Sequence, residues 1–220
     1  MRSTPAKPKL YPFAARSEAM RRLMRTCTFV LAVNWLAQGM RGMDRKELAF
    51  RLLAEGLVAA ILSLALSGLG AVAVLPAALI AHSLNFTFNG QFWVCARYCP
   101  SYRGDAERLR RFLGDIGPEL RRSVDAAVVI GSTGEGALGP RSDLDLRLVF
   151  PPGARAWLAV NLLLLRLRTR AFLAGIPLDA YAYDTVESLA RFDPAEPWLV
   201  IVDRRSDIAR RFPGRRLVQP

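Results

Sequence analysis

VIGSTGEGALGPRSDLDL, residues 129–146, is the stretch on which the reading of this chain turns. It begins at the end of a β-branched run, AAVVI (126–130), that gives way to Gly131-Ser132. It ends inside DLDLRLVF (143–150), which alternates polar and apolar with period two, as a half-buried strand does. On such a strand Asp143 and Asp145 point to one face. Two carboxylates held side by side repel each other unless a divalent cation lies between them. Mg²⁺ takes carboxylates together with substrate phosphate oxygens. A glycine where the preceding strand ends lets backbone approach a phosphate closely, and N–H groups at a following helix start can hold its oxygens. Arg141 directly precedes the acidic pair; it is a candidate partner for a triphosphate and equally an ordinary surface charge.

In this order and spacing, Gly131, Ser132, Gly136, Ser142, Asp143, Asp145 and Leu146 resemble the DNA polymerase beta-type nucleotidyltransferase superfamily. The resemblance covers residues 105–205. It implies a small mixed sheet with flanking helices, three carboxylates that hold two Mg²⁺ ions, and an NTP as substrate. An acceptor oxygen then attacks the α-phosphate in line. The third carboxylate is implied on a later strand, where Asp179 of IPLDAYAYD (176–184) stands early in an alternating run. Asp184 competes, but its odd spacing puts it on the opposite face and at the strand's end. By the same resemblance Asp179 lies nearest the attacking group and serves as its base. The expected catalytic and metal-holding set is therefore Asp143, Asp145 and Asp179, and the expected NTP-binding set is Gly131, Ser132, Arg141 and Ser142. Glu135 has no place in the family pattern and reads as solvent-facing.

Around the motif, residues 101–123 read as a basic amphipathic helix with Leu109, Phe112, Leu113 and Ile116 on one face. Residues 154–173 read as a long helix, and 178–184 and 198–203 as further strands. The pattern predicts an α+β domain over 101–220, with a sheet of about four strands.

Residues 1–100 have a different character. Three prolines and several basic residues make 1–16 a flexible arm with no cleavable signal peptide. The uncharged stretch 26–40, preceded by a short basic helix at 17–25, is too short to cross a bilayer and reads as an interfacial helix, with Asn34 and Gln38 on one face. A buried soluble helix is the second reading. From 56 to 96 no residue carries a full charge when His82 is neutral, a run of 41 residues. That exceeds one crossing of ~20 residues. The break SGLG (67–70) predicts a hairpin with legs at 48–66 and 71–94, a kink at Pro76, and an i,i+4 pair between Arg51 and Glu55. His82 reads as a packed or interfacial residue, not as a catalytic one. Basic residues flank both ends of the hairpin and none lies at its tip, which predicts a membrane location with both ends, and the catalytic domain, on the cytoplasmic side. A helical hairpin buried in a soluble domain is the alternative.

The net charge of +12 beside 52% hydrophobic residues fits an apolar membrane segment with basic flanks. The arginines are dispersed and the aromatics cluster in the apolar half, so no stacking platform for nucleic acid is expected. Cys27, Cys95 and Cys99 have neither a disulfide-framework spacing nor neighbouring zinc ligands, and read as apolar fillers. The resulting expectation is a membrane-anchored nucleotidyltransferase that uses Mg²⁺ and an NTP, with membrane lipids and an acceptor as partners, a lipid-linked acceptor being the kind its location suggests. The alternatives are a non-catalytic regulator on the same fold and an antitoxin-like enzyme that modifies protein or RNA.

Overall fold

The β-branched and alternating runs assemble into one mixed sheet of five strands: β1 (Ala126–Ile130), β2 (Leu144–Val149), β3 (Leu178–Tyr183), β4 (Trp198–Asp203) and the short β5 (Leu217–Val218). The strand order is β3-β2-β1-β4-β5. β1 runs antiparallel to both β2 and β4, and β3 runs parallel to β2. This computed structural model describes residues 17–24, 26–37, 43–90, 92–131, 138–193 and 195–218.

Period-two alternation gives the sheet two different faces. Leu144, Leu146 and Leu148 of β2, with Leu178, Ala180 and Ala182 of β3, join a core under α6 (Ala106–Ser123) and α7 (Ala154–Leu173). α6 contributes Leu109, Phe112, Ile116 and Leu120, the stripe its sequence presents. It starts later than expected because Asp105 caps it, accepting from the Glu107 N–H at 2.9 Å. The opposite face gathers Ile130, Val149, Tyr181, Tyr183 and Trp198 into a second core. Asp145, Arg147 and Asp179 share the alternation of that second face.

The N-terminal half begins with α1 (Glu18–Met24) and α2 (Cys27–Ala37). α3 (Arg45–Ala65) then rises from the domain, a 3-10 segment (Ser67–Ala73) turns the chain, and α4 (Val74–Phe88) returns to the short α5 (Phe92–Ala96). The stretches Arg45–Ala65 and Ser67–Phe88 are long and apolar enough to cross a membrane. Only 6% and 22% of their apolar windows are buried, so this hairpin is not the hidden core of a soluble helical domain. α7 lies across the feet of both legs. Trp157 donates to the Lys46 carbonyl at 2.9 Å and stacks edge-on with Phe50, while Phe172 meets Phe88 and Phe92.

Three expectations need correction. Pro76 sits in the first turn of α4, where a helix needs no N–H from it, and so starts the leg instead of bending it. Arg51 pairs with Glu47 at 3.0 Å, and Glu55 bonds to His82 at 2.8 Å and to Asn85 at 2.7 Å. α2 packs beside the return leg, where Trp35 meets His82 edge-on and donates to Ser83. Finally, Cys27 and Cys99 form a disulfide across 72 residues, with Cα atoms 4.7 Å apart, and only Cys95 is a free buried filler. Gln38, Ser132, Glu135 and Gly136 lie outside the described residues.

The edge of β3 is closed by charge. The Glu47 carboxylate accepts the outward Ala182 N–H at 3.2 Å, and Arg168 of α7 donates to the Ala180 carbonyl. Arg168 also donates to Glu47 at 2.6 Å and to Asn89 at 2.9 Å. Glu47, Arg51 and Arg168 are 2–4% exposed, and together they fasten both legs of the hairpin to the sheet.

Candidate active site

The parallel register of β2 and β3 puts Asp145 directly beside Asp179. Asp143 lies two residues before Asp145, just ahead of the strand, and on the same side. Ile130, the last residue of β1, is the register partner of Asp145 on its other flank. The chain leaves β1 through Gly131 at φ +83°, a left-handed conformation suited to glycine; a Cβ there would stand 3.6 Å from Asp145 Oδ2. Three acids and the glycine that opens the motif thus meet at one end of one sheet face. Asp184 does not join them: it follows β3 and pairs with Lys46. Ser132, expected among the NTP-binding residues, lies outside the described residues.

Two arginines face the acids. Arg147, on the same face of β2, reaches Asp179 Oδ2 at 3.1 Å and Asp145 Oδ1 at 3.5 Å through one nitrogen, Nη2. Its Nη1 donates to the Asp179 carbonyl at 2.5 Å, and its guanidinium lies over Tyr181 and Phe192. Arg97, just past α5, pairs with Asp143 at 2.5 Å. Arg97 and Arg141 each donate to the other's carbonyl oxygen at 3.2 Å. Arg141 therefore holds the end of the return leg against the motif loop. Ser142 closes a turn with Gly139, accepting its N–H in the side chain at 2.9 Å and donating its own N–H to the Gly139 carbonyl at 3.1 Å.

Sequence reasoning passed over both Arg147 and Arg97. The alternation that pairs Asp143 with Asp145 carries one step further to Arg147, so that residue was legible. Arg97 was not, because the hairpin's return path brings it to the acids.

Burial pushes the Asp145 carboxyl well above the ordinary carboxylate range, Asp143 adds to that, and Arg147 opposes it. Burial raises Asp143 as well, against the pull of Arg97. The Asp145 side chain nonetheless keeps 30% of its surface exposed, so solvent reaches the cluster. A carboxyl raised in the folded state holds its proton more tightly there than in the unfolded chain. Stability is then lost as pH climbs from the ordinary value of about 4 through the raised one. Without divalent ions, Asp145→Asn should accordingly melt at or above the parent at pH 7, and its melting temperature should fall less between pH 4 and 7. A variant that melts clearly below the parent at pH 7 would show that Asp145 is not under electrostatic stress.

The donor set suits Mg²⁺ in kind, being hard carboxylate oxygens. Three negative charges face two guanidinium groups, so the cluster remains one positive charge short. Among the described residues no three acidic, histidine or cysteine side chains already surround one point as a finished metal cage. The carboxylates spend their oxygens on Arg97 and Arg147 instead, and an ion would compete with Arg97 for Asp143. Comparison with family profiles, curated proteins and solved structures gives no match to this chain.

Proposed function

We propose that the chain is a membrane-held nucleotidyltransferase that transfers a nucleoside monophosphate from an NTP to an acceptor hydroxyl or phosphate, on a fold of the DNA polymerase beta-type superfamily. The observation that carries this reading is the convergence of Asp143, Asp145 and Asp179 beside the Gly131 turn. Those three carboxylates would hold Mg²⁺. When bound, the ions lower the pKa of the attacking hydroxyl and neutralise charge that develops on the phosphate. Arg147 orients Asp179 and Asp145 from within the sheet, anchored by its bond to the Asp179 carbonyl. Gly131 leaves the backbone beside Asp145 bare for a phosphate to approach. Arg97 offers a planar, permanently charged fork of the kind that takes phosphate oxygens. The full-length protein with Mg²⁺ and each of four NTPs in turn, supplied with a membrane lipid extract as acceptor source, should release pyrophosphate with at least one of them. No release with any NTP, and no Mg²⁺-dependent NTP binding, would overturn the reading.

A second reading is favoured by the ion pairs at Arg97 and Arg147, which engage the acids without a metal: a regulator that keeps the fold and binds without catalysis. NTP binding without pyrophosphate release would select it.

The exposed apolar hairpin supports attachment to a membrane, and its basic feet support placing the catalytic domain on the cytoplasmic face. The acceptor then belongs to that surface, with a lipid-linked glycan or an envelope-polymer precursor as the class that location suggests. The protein should stay with membranes through high salt and carbonate washing, and a reporter fused after Pro220 should register as cytoplasmic. Release of the full-length protein by carbonate would remove the anchor from this proposal.

A further inference from the structure

Resting on the proposal that the chain is membrane-held, we infer that the hairpin occupies a single leaflet: it enters and leaves the bilayer on the same face, with its tip near the midplane. The partner of this surface is one lipid leaflet.

The foot of α3 is not available to hydrocarbon. Lys46 pairs with Asp184, Glu47 accepts from the Ala182 N–H, and Arg51 and Glu47 form a buried ion pair. These contacts hold the first two turns of α3 beside the edge of the sheet, with α7 across their base. A charge network on a sheet edge belongs outside the bilayer core. The length that lets Arg45–Ala65 qualify as a crossing therefore includes about two turns that are docked on the domain.

The next polar level joins both legs and α2. Glu55 bonds to His82 Nδ1 at 2.8 Å and accepts from Asn85 at 2.7 Å, while His82 Nε2 meets the Trp35 carbonyl at 2.8 Å. Such a ring of carboxylate, imidazole, amide and indole suits the headgroup boundary. Beyond it, residues 56–81 carry no charged or amide side chain, and Ser63 and Ser67 are their only hydroxyls. On the outgoing leg, residues 56–65 rise about 15 Å, half of a ~30 Å hydrocarbon core. Counted from Leu52, the first residue above Arg51, the rise is still only about 21 Å, short of the far headgroups.

The tip has the chemistry of the midplane. Leu69 is 63% and Val72 76% exposed, and no charged or aromatic residue is there to meet headgroups on a far side. Its backbone is also fit for hydrocarbon, where unsatisfied N–H groups are excluded. The Leu66 N–H closes the end of α3 on the Leu62 carbonyl, and the Leu69 and Val74 N–H groups donate to the carbonyls of Leu66 and Ala71 across the 3-10 turn. The positive φ of +63° at Gly70 makes that reversal compact.

The test uses full-length protein in phosphatidylethanolamine–phosphatidylglycerol vesicles, with NBD attached through Leu69→Cys or, separately, Val72→Cys. Both positions are exposed, so neither variant disturbs packing. The parent chain is the labelling blank, since Cys27 and Cys99 are joined and Cys95 is buried. Spin labels at the acyl-chain end should quench NBD more strongly than labels near the headgroup. A water-soluble maleimide should fail to reach either cysteine from either side. Labelling from the side opposite the C-terminus would overturn the inference in favour of two crossings and leave the anchored enzyme intact. Labelling from the same side as the C-terminus would overturn it together with the anchor. Pyrophosphate release reports on catalysis independently of both outcomes.

Discussion

Asp145→Asn should release no measurable pyrophosphate at Mg²⁺ and NTP concentrations that saturate the parent, a loss of about 10³-fold or more. The side chain keeps its size and its place beside Asp179, but it gives up the charge that an ion would need. The loss should fall on kcat, because transferring charge to the phosphate is what the cluster would assist, and raising Mg²⁺ should restore little of it. Asp143→Asn should behave in the same way, with Arg97 left without its carboxylate partner. Asp184→Asn is the control: it breaks only a partly exposed pair with Lys46 at the far end of β3 and should leave activity intact. Full activity in both Asp143→Asn and Asp145→Asn would mean that the chemistry lies elsewhere.

The second large effect is on stability. Arg168→Leu removes the donor that serves Glu47, Asn89 and the Ala180 carbonyl at once. Glu47, 2% exposed, then keeps Arg51 and the Ala182 N–H but loses its shorter ion pair. Breaking a buried pair by removing one partner costs about 3–5 kcal/mol. For a chain of this length that corresponds to a melting temperature lower by roughly 10 °C in detergent. Adding Glu47→Gln should cost less than its own single effect, because one of the two ion pairs it breaks is already gone. A loss under about 1 kcal/mol, the range of exposed pairs, would mean that water reaches this network.

The contrast between the strands and the stem marks how far the amino-acid order reaches. Every strand expected from alternation is present, because period two is local and each run needs only its own residues to declare a face. That same locality put Asp143 and Asp145 on one side and Asp184 off the face of Asp179, whereas Asp179 as the third acid came only from the family resemblance. α6 and α7 followed from their stripes for the same reason. What local spacing misjudged was partner choice. Arg51 has carboxylates four residues away on either side, and spacing alone offers both. The glutamate on the N-terminal side is the better helix partner, and Arg168 and the β3 edge draw Glu47 inward, while His82 and Asn85 take Glu55. The disulfide joins residues 72 apart, and Arg97 meets Asp143 only because the return leg brings it back. Neither distance is written in any window of the chain.

The closure of the β3 edge bears on what happens when the two halves are separated. A fragment that begins at residue 101 keeps the whole sheet but loses Glu47 and Asn89. Its Ala182 N–H and the guanidinium of Arg168 are then left facing solvent along an open strand. Unpaired strand edges recruit one another. Such a fragment should form strand-to-strand oligomers that grow with concentration, even though the sheet's own core remains complete. The hairpin proposed to hold the protein to lipid would in this sense also be the stopper that keeps its sheet from polymerising.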